Sequence, residues 1–288
     1  MEQPPIHRFA PAKINLFLEI PAKRSDGYHE IATLMTAIDL GDELTFAPHD
    51  SQIELICDNP HLSSGPDNLI HRAARLLRSA TGCGRGARIT LKKRIPWAAG
   101  LGGGSSDAAA TLLGLNDLWQ LKLSREELAG FAAQLGSDVP FFLLGHAAWC
   151  TGRGEIVEPL PTCGELHFLL VKPTGGCATA EVYRRLELPG KPLDGTAVKD
   201  ALKCGDIQGI ASNMSNRLQE SAFGINPDVA LLFDCLKKTS CLGCLMSGSG
   251  SSLFALADGR SHASKLNEEL DGLPTPVGTQ RWITKSLP

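Results

Sequence analysis

The chain has 288 residues, enough for one large domain or two smaller ones. Hydrophobic residues make up 43% and charged residues 20%, which supports a packed core and excludes extended disorder, while 30 Gly and 18 Pro make the chain turn-rich without low complexity. A net charge of −3 shows no basic excess, so nucleic acid is not expected as the partner.

No apolar run approaches the ~20 residues a membrane helix needs, and the start of the chain lacks the basic and apolar blocks of a signal peptide. The expectation is a cytoplasmic protein that neither enters nor binds a membrane. Its nine cysteines are then reduced, and the pair Cys241 and Cys244 lacks the second pair that a zinc site would want.

From Arg8 to Ile20, Ile14, Leu16, Leu18 and Ile20 alternate with Lys13, Asn15, Phe17 and Glu19, a period of two that predicts a strand with one buried face. Lys13 and Asn15 share a face. Strands are also expected at 31–47, 53–57 and 87–91. Pro66-Asp67-Asn68 opens a helix that Asp67 or Asn68 can cap. After residue 91 the chain runs into a glycine loop and a helix of small residues. Ser124 with Glu127 forms a capping box, and Gly136 ends the helix that follows. A composition shift at 158–164 marks a soft domain boundary. Beyond it, strands are expected at 166–171 and 242–246, and helices near 179–187, 197–210, 213–222 and 227–238. Mixed rather than alternating strands and helices predict an α+β fold.

The most informative segment is Gly100-Leu101-Gly102-Gly103-Gly104-Ser105-Ser106, directly before a helix. Its glycines admit positive φ and clear side chains from around the backbone amides. Consecutive N–H groups and the helix amino end then form a cradle for an anion such as a polyphosphate. A tight strand-to-helix turn with a serine cap explains the same residues. No Gly-Lys-Ser/Thr follows, so the loop is not of the Walker A type, and Ser105 breaks a GxGxxG pattern.

The segment Pro96-Trp97-Ala98-Ala99-Gly100 through Asp107 resembles the phosphate-binding motif of the GHMP kinases, named for galactokinase, homoserine kinase, mevalonate kinase and phosphomevalonate kinase. Pro11 to Leu18 resembles the first motif of that family, and Ser247 to Ala255 its third, glycine-rich motif. Ser25-Asp26-Gly27-Tyr28-His29-Glu30, Gly136 to Phe142 and Gly145 to Ala148 resemble the branch that acts on a cytidine diphosphate-linked methylerythritol in the non-mevalonate isoprenoid route.

The resemblance implies a two-domain GHMP kinase fold, residues 1–160 and 161–288, with the active site in the cleft between the domains. It implies ATP and Mg²⁺ as cofactors, with no Mg²⁺ ligand assignable, and a monomer or weak homodimer. ATP would be held by Pro96, Trp97, Ala98, Ala99, Gly100, Leu101, Gly102, Gly103, Gly104, Ser105 and Ser106, with Asn68 and Lys93 near adenine and ribose. Asp138 would be the base that takes the acceptor's proton, although an aspartate before Val139-Pro140 is equally a helix cap. Lys13 would keep Asp138 ionised, although a lysine on a strand is ordinarily a solvated-face residue. Tyr28 would stack on the pyrimidine, His29 would bond its edge and Tyr183 would close the sandwich; a hairpin tyrosine with a turn histidine and a core tyrosine are the alternatives. Asn15 would meet the methylerythritol end.

Overall fold

A computed structural model describes residues 4–288. Two long strands, β1 (Ile6–Lys23) and β2 (His29–His49), are joined by a turn in which Gly27 takes φ +88° and Asp26 accepts the Tyr28 N–H. The alternation in β1 is real, but its expected single buried face is corrected to two. Every residue from Ala10 to Ile20 is buried. The polar face survives burial because its groups are paired: Lys13 Nζ donates to Asn15 Oδ1, and Arg217 forks onto Glu19 with two bonds of 2.7 Å.

The chain divides into two compact units. One comprises the N-terminal stretch through Ala12, Leu40–Trp97 and Gly102–Gly145; the other comprises Lys13–Asp39, Ala98–Leu101 and His146–Pro288. A single break near residue 160 does not describe this division. The strands β1 and β2 and the glycine loop each give residues to both units, so long-range strand pairing sets the division and the composition shift marks only a local connection.

In the first unit β3 (Ile53–Cys57) is followed by α1 (Leu69–Thr81), capped by Asn68, whose side chain accepts from the Ile70 N–H. Next comes β4 (Gly86–Lys92), which pairs in parallel with β3 and antiparallel with Glu43–His49 of β2. The small-residue helix is α2 (Gly103–Leu118), packed against α1, α3 (Arg125–Leu135) and α4 (Val139–Leu144). Its small residues have a reason: a Cβ at Gly114 would run into the Phe46 ring. The Ser124–Glu127 capping box of α3 is complete.

The second unit adds β5 (Ala148–Thr151), paired antiparallel with Thr33–Met35 of β2 and with β6 (Ile156–Pro159). Then follow β7 (His167–Lys172), α5 (Thr179–Arg184), α6 (Thr196–Cys204) and α7 (Ile207–Asn213). The helix expected at 197–210 is broken by Gly205, which ends α6 at φ +70°. After β8 (Ser215–Asn216), parallel to Phe17 and Leu18 of β1, come α8 (Gln219–Phe223) and α9 (Pro227–Lys237). Strands β9 (Gly243–Met246) and β10 (Leu253–Ala257) flank the serine-glycine turn, and α10 (Gly259–Asp271) and β11 (Gln280–Lys285) complete the chain. An antiparallel sheet in the order β11-β7-β10-β9 packs Leu169, Val171, Leu253 and Ala255 with Val229 and Leu232 of α9 and Leu266 of α10. Among the described residues no helix is long and apolar enough to cross a membrane, and all nine cysteines are free thiols.

Candidate active site

The second unit joins the three sequence motifs by main-chain bonds. The Lys13 N–H on β1 donates to the Leu101 carbonyl at 3.0 Å, and the Ser252 N–H donates to the Ala99 carbonyl at 3.1 Å. Ser247 Oγ donates to the Gly100 carbonyl at 2.9 Å. The carbonyls of Ala99, Gly100 and Leu101 are therefore all turned into the protein. Gly100 has φ +74°, and a Cβ there would collide with the Ser247 carbonyl, so close backbone approach requires this glycine. Ala98, at the loop's entry, takes φ +51°, a costly region for a residue with a side chain.

Around this junction the polar side chains form one chain of bonds. Lys13 Nζ donates to Asn15 Oδ1 at 2.7 Å, Asn15 Nδ2 to Thr33 Oγ1 at 2.8 Å, and Thr33 Oγ1 to the Phe17 carbonyl at 2.6 Å. Asn216 Nδ2 braces the serine-glycine turn through the carbonyls of Met246 and Gly248. Lys13 and Asn15 are 4% and 2% exposed, so the solvated-face explanation for Lys13 fails. Thr33 and Asn216 carry no signal in the sequence, whereas Ser247 opens the third, glycine-rich motif.

Tyr28, His29 and Tyr183 also lie in the second unit. The His29 and Tyr183 rings stand 5.1 Å apart, and the Arg153 guanidinium lies 4.9 Å over the Tyr28 ring. Tyr28 is 54% exposed, an unusual setting for a tyrosine ring of structural use alone. Tyr183 thus meets His29, and the cation over Tyr28 is a residue that sequence reasoning missed. The turn carrying these rings is stiff. Arg24 pairs with Asp26 and Glu30, and Glu30 Oε1 accepts from the Gly152 N–H of the β5–β6 hairpin. Burial, and then the charge of Lys23, hold the His29 imidazole below the ordinary histidine range, so it is neutral at pH 7.

The first unit supplies the amino end of α2. Its N-cap is Gly102 at φ +70°, no side chain caps it, and its first turn carries no acidic residue. The first-turn amides of a 16-residue helix are therefore uncapped by the protein's own side chains and suit an anion. Ser106 Oγ is buried there without a partner among the described residues. Gly104 is exposed and packs near Leu69, the first residue of α1 after its Asn68 cap. Trp97, just before the loop, is 65% exposed. Lys93 is not at the surface: its ammonium is bonded to Asp42 and Asp107 inside the unit. Asp138 sits half-buried at the N-cap position of α4, yet makes no cap bond to that helix, which weakens its purely structural explanation.

Among the described residues no group of three or more His, Cys, Asp or Glu could hold a metal ion. The uncapped end of α2 and the buried Ser106 Oγ, which has no partner among the described residues, fit phosphate oxygens on which a Mg²⁺ ion would arrive.

Comparison with known proteins shows the family. The N-terminal domain of GHMP kinases matches residues 68–146, and their C-terminal domain matches residues 197–272. A 4-diphosphocytidyl-2-C-methyl-D-erythritol kinase of Pelotomaculum thermopropionicum is 47% identical over 87% of this chain and 88% of its own length. One from Bacillus cereus is 43% identical over 92% of this chain and 91% of its own. A crystal structure of 4-(cytidine 5'-diphospho)-2C-methyl-D-erythritol kinase, 37% identical, superposes with a TM-score of 0.81 and covers 98% of this chain and 100% of its own.

Proposed function

The chain belongs to the 4-diphosphocytidyl-2-C-methyl-D-erythritol kinases of the GHMP kinase family and is an ATP-dependent small-molecule kinase, and from that premise we propose that it phosphorylates the 2-hydroxyl of 4-diphosphocytidyl-2-C-methyl-D-erythritol, a step of the non-mevalonate isoprenoid route. The observation that carries this reading is the set of bonds to the glycine loop's main-chain carbonyls that ties β1, the loop and the Ser247–Ser252 turn together. It holds the loop rigidly by its carbonyls. Preorganised amides can then meet phosphate charge without reorganising.

In this reading the segment Pro96 to Ser106 takes the triphosphate, with Asn68 on the side of adenine and ribose; Lys93, expected there too, is instead held inside the unit by Asp42 and Asp107. Mg²⁺ bound to the triphosphate supplies charge neutralisation for phosphoryl transfer. Phosphoryl transfer needs little covalent help from the protein, so the side chains contribute position and charge. Asp138 accepts the proton of the attacking hydroxyl. Lys13 supplies positive charge that balances the transition state, and Asn15 orients the acceptor's polyol end. Tyr28 stacks on the cytosine, with Arg153 over the ring. The neutral His29 imidazole bonds the base edge and Tyr183 supports His29. The work is cytoplasmic, where ATP is supplied, and the working unit is a monomer or weak homodimer.

An acceptor panel tests the reading. ADP formation from ATP is measured with 4-diphosphocytidyl-2-C-methyl-D-erythritol, homoserine and mevalonate in turn. The expected result is turnover with the cytidine compound alone, because neither rival has a base to stack. Equal turnover with homoserine or mevalonate contradicts it, and so does ADP release that ignores the acceptor.

A further inference from the structure

The interior of the first unit holds more charge than the proposed chemistry uses. Asp42 comes from β2, Lys93 from the segment after β4, and Asp107 from α2. Lys93 Nζ donates to Asp42 Oδ2 at 2.5 Å and to Asp107 Oδ2 at 2.7 Å. Asp42 Oδ1 accepts the N–H groups of Arg94 at 2.5 Å and Ile95 at 2.8 Å, so both its oxygens are engaged. Asp107 is different. It is 4% exposed, and its Oδ1 is buried with no partner among the described residues.

One ammonium serves two carboxylates here. Fully ionised, the cluster keeps a surplus negative charge out of reach of water, which is the costly case for a buried ion. A proton on Asp107 removes the surplus. We propose that Asp107 stores a proton in this cluster, and that binding of a polyphosphate at the amino end of α2 draws the proton on more fully, so that nucleotide binding is linked to proton uptake. The proposal rests on the nucleotide reading of that helix end.

Geometry couples the two events. Gly103 and Asp107 are one turn apart on the same face of α2. A Cβ on Gly103 would lie 3.1 Å from Lys93 Nζ, so the cluster sits directly against the first turn. Negative charge arriving at that turn disfavours negative charge on Asp107. Burial pushes the Asp107 carboxyl up to about 7, with Lys93 opposing and Asp42 adding to the rise. For Lys93, burial works against the charge, and the Asp107 and Asp42 carboxylates outweigh it, so its pKa is raised and it stays an ammonium. Of the helices packed on α2, α1 presents Arg72 and Arg75 and α3 presents Arg125, Glu126 and Glu127 at the surface, while α4 has no charged residue. His71 of α1 is held below the ordinary histidine range by burial and Arg75, so it is neutral where Asp107 titrates.

The sign of the effect follows. Asp107 binds its proton more tightly in the folded protein, so its contribution to stability is full below pH ~4 and is lost as pH rises toward 7. ATP binding at pH 7.5 should take up about half a proton more in the wild type than in Asp107→Asn, whose amide keeps the Lys93 bond and cannot titrate. Relative to that variant, the wild-type Kd for ATP should rise about 5-fold from pH 7 to pH 9. Calorimetry in buffers of different ionisation enthalpy reads both. Equal proton counts in the two proteins overturn the proposal and leave the nucleotide site standing; no ATP binding to the wild type overturns both. A second measurement needs no variant. The infrared carboxylic-acid band of the wild type at pH 7.5 should grow when ATP is added, and an unchanged band overturns the proposal.

Discussion

His29 shows how one side chain's surroundings decide its use. Burial and the neighbouring Lys23 disfavour its charged form, and the Tyr183 ring supports its plane at 5.1 Å. A neutral imidazole can accept a hydrogen bond from a base edge, whereas imidazolium only donates. The acceptor KM should therefore stay flat as pH falls through the ordinary histidine range and rise only below it, where the ring finally takes a proton. Replacing His29 with Ala should raise that KM about 3- to 10-fold, the worth of one neutral hydrogen bond, remove the acid limb and leave ATP binding unchanged. Isothermal titration of each substrate checks this; an equal loss of both ligands would make His29 a structural residue. The segments that carry Lys13, Asn15, Tyr28 and His29 stand out in sequence because their residue types and spacing resemble a known motif. Thr33, Asn216 and Arg153 do not. Each lies far along the chain from the group it holds, and only the strand pairing brings it there.

Elements carry the argument from residues to rigidity. The capping box of α3 and the Asn68 cap of α1 were readable because caps are local chemistry. The burial of β1 on both faces was not, since alternation reports only which residues are apolar; the polar face is buried because Lys13, Asn15 and Glu19 find internal partners. Two elements past residue 258, α10 and β11, carried no strong turn or motif signal and went unread. The loop between β4 and α2 has the sharpest requirement. Gly100 holds φ +74° and leaves no room for a Cβ beside the Ser247 carbonyl. Gly100→Ala should cost about 1–3 kcal/mol of stability and raise the KM for ATP at least ~10-fold, because a shift of the loop's amides weakens every phosphate bond they make. Thermal melts with and without ATP, beside steady-state kinetics, measure both effects. A variant with wild-type melting and ATP KM would show that the loop's backbone is not under this constraint.

At the level of the whole molecule, the two units divide the labour. The second carries Lys13, Asn15, the Tyr28, His29 and Tyr183 rings and the loop's anchored carbonyls, and the first carries the open end of α2 and Asp138. The class of fold was legible, because mixed strands and helices with three ordered motifs leave few alternatives. The interleaving of the two compact units was not. Composition marks where the chain loosens, while the units are set by which halves of β1 and β2 pair with what.

The proposed reaction transfers the γ-phosphoryl group to the acceptor, with Asp138 proposed to take the acceptor's proton. Single-turnover transfer, followed by phosphorus NMR with ATP and 4-diphosphocytidyl-2-C-methyl-D-erythritol both saturating, tests it most directly. The wild type should yield ADP and one new phosphomonoester in equal amounts, and Asp138→Asn should bind both substrates normally while slowing transfer about 10²- to 10⁴-fold. Transfer by the variant at the wild-type rate, or ADP without a matching phosphomonoester, would contradict the account.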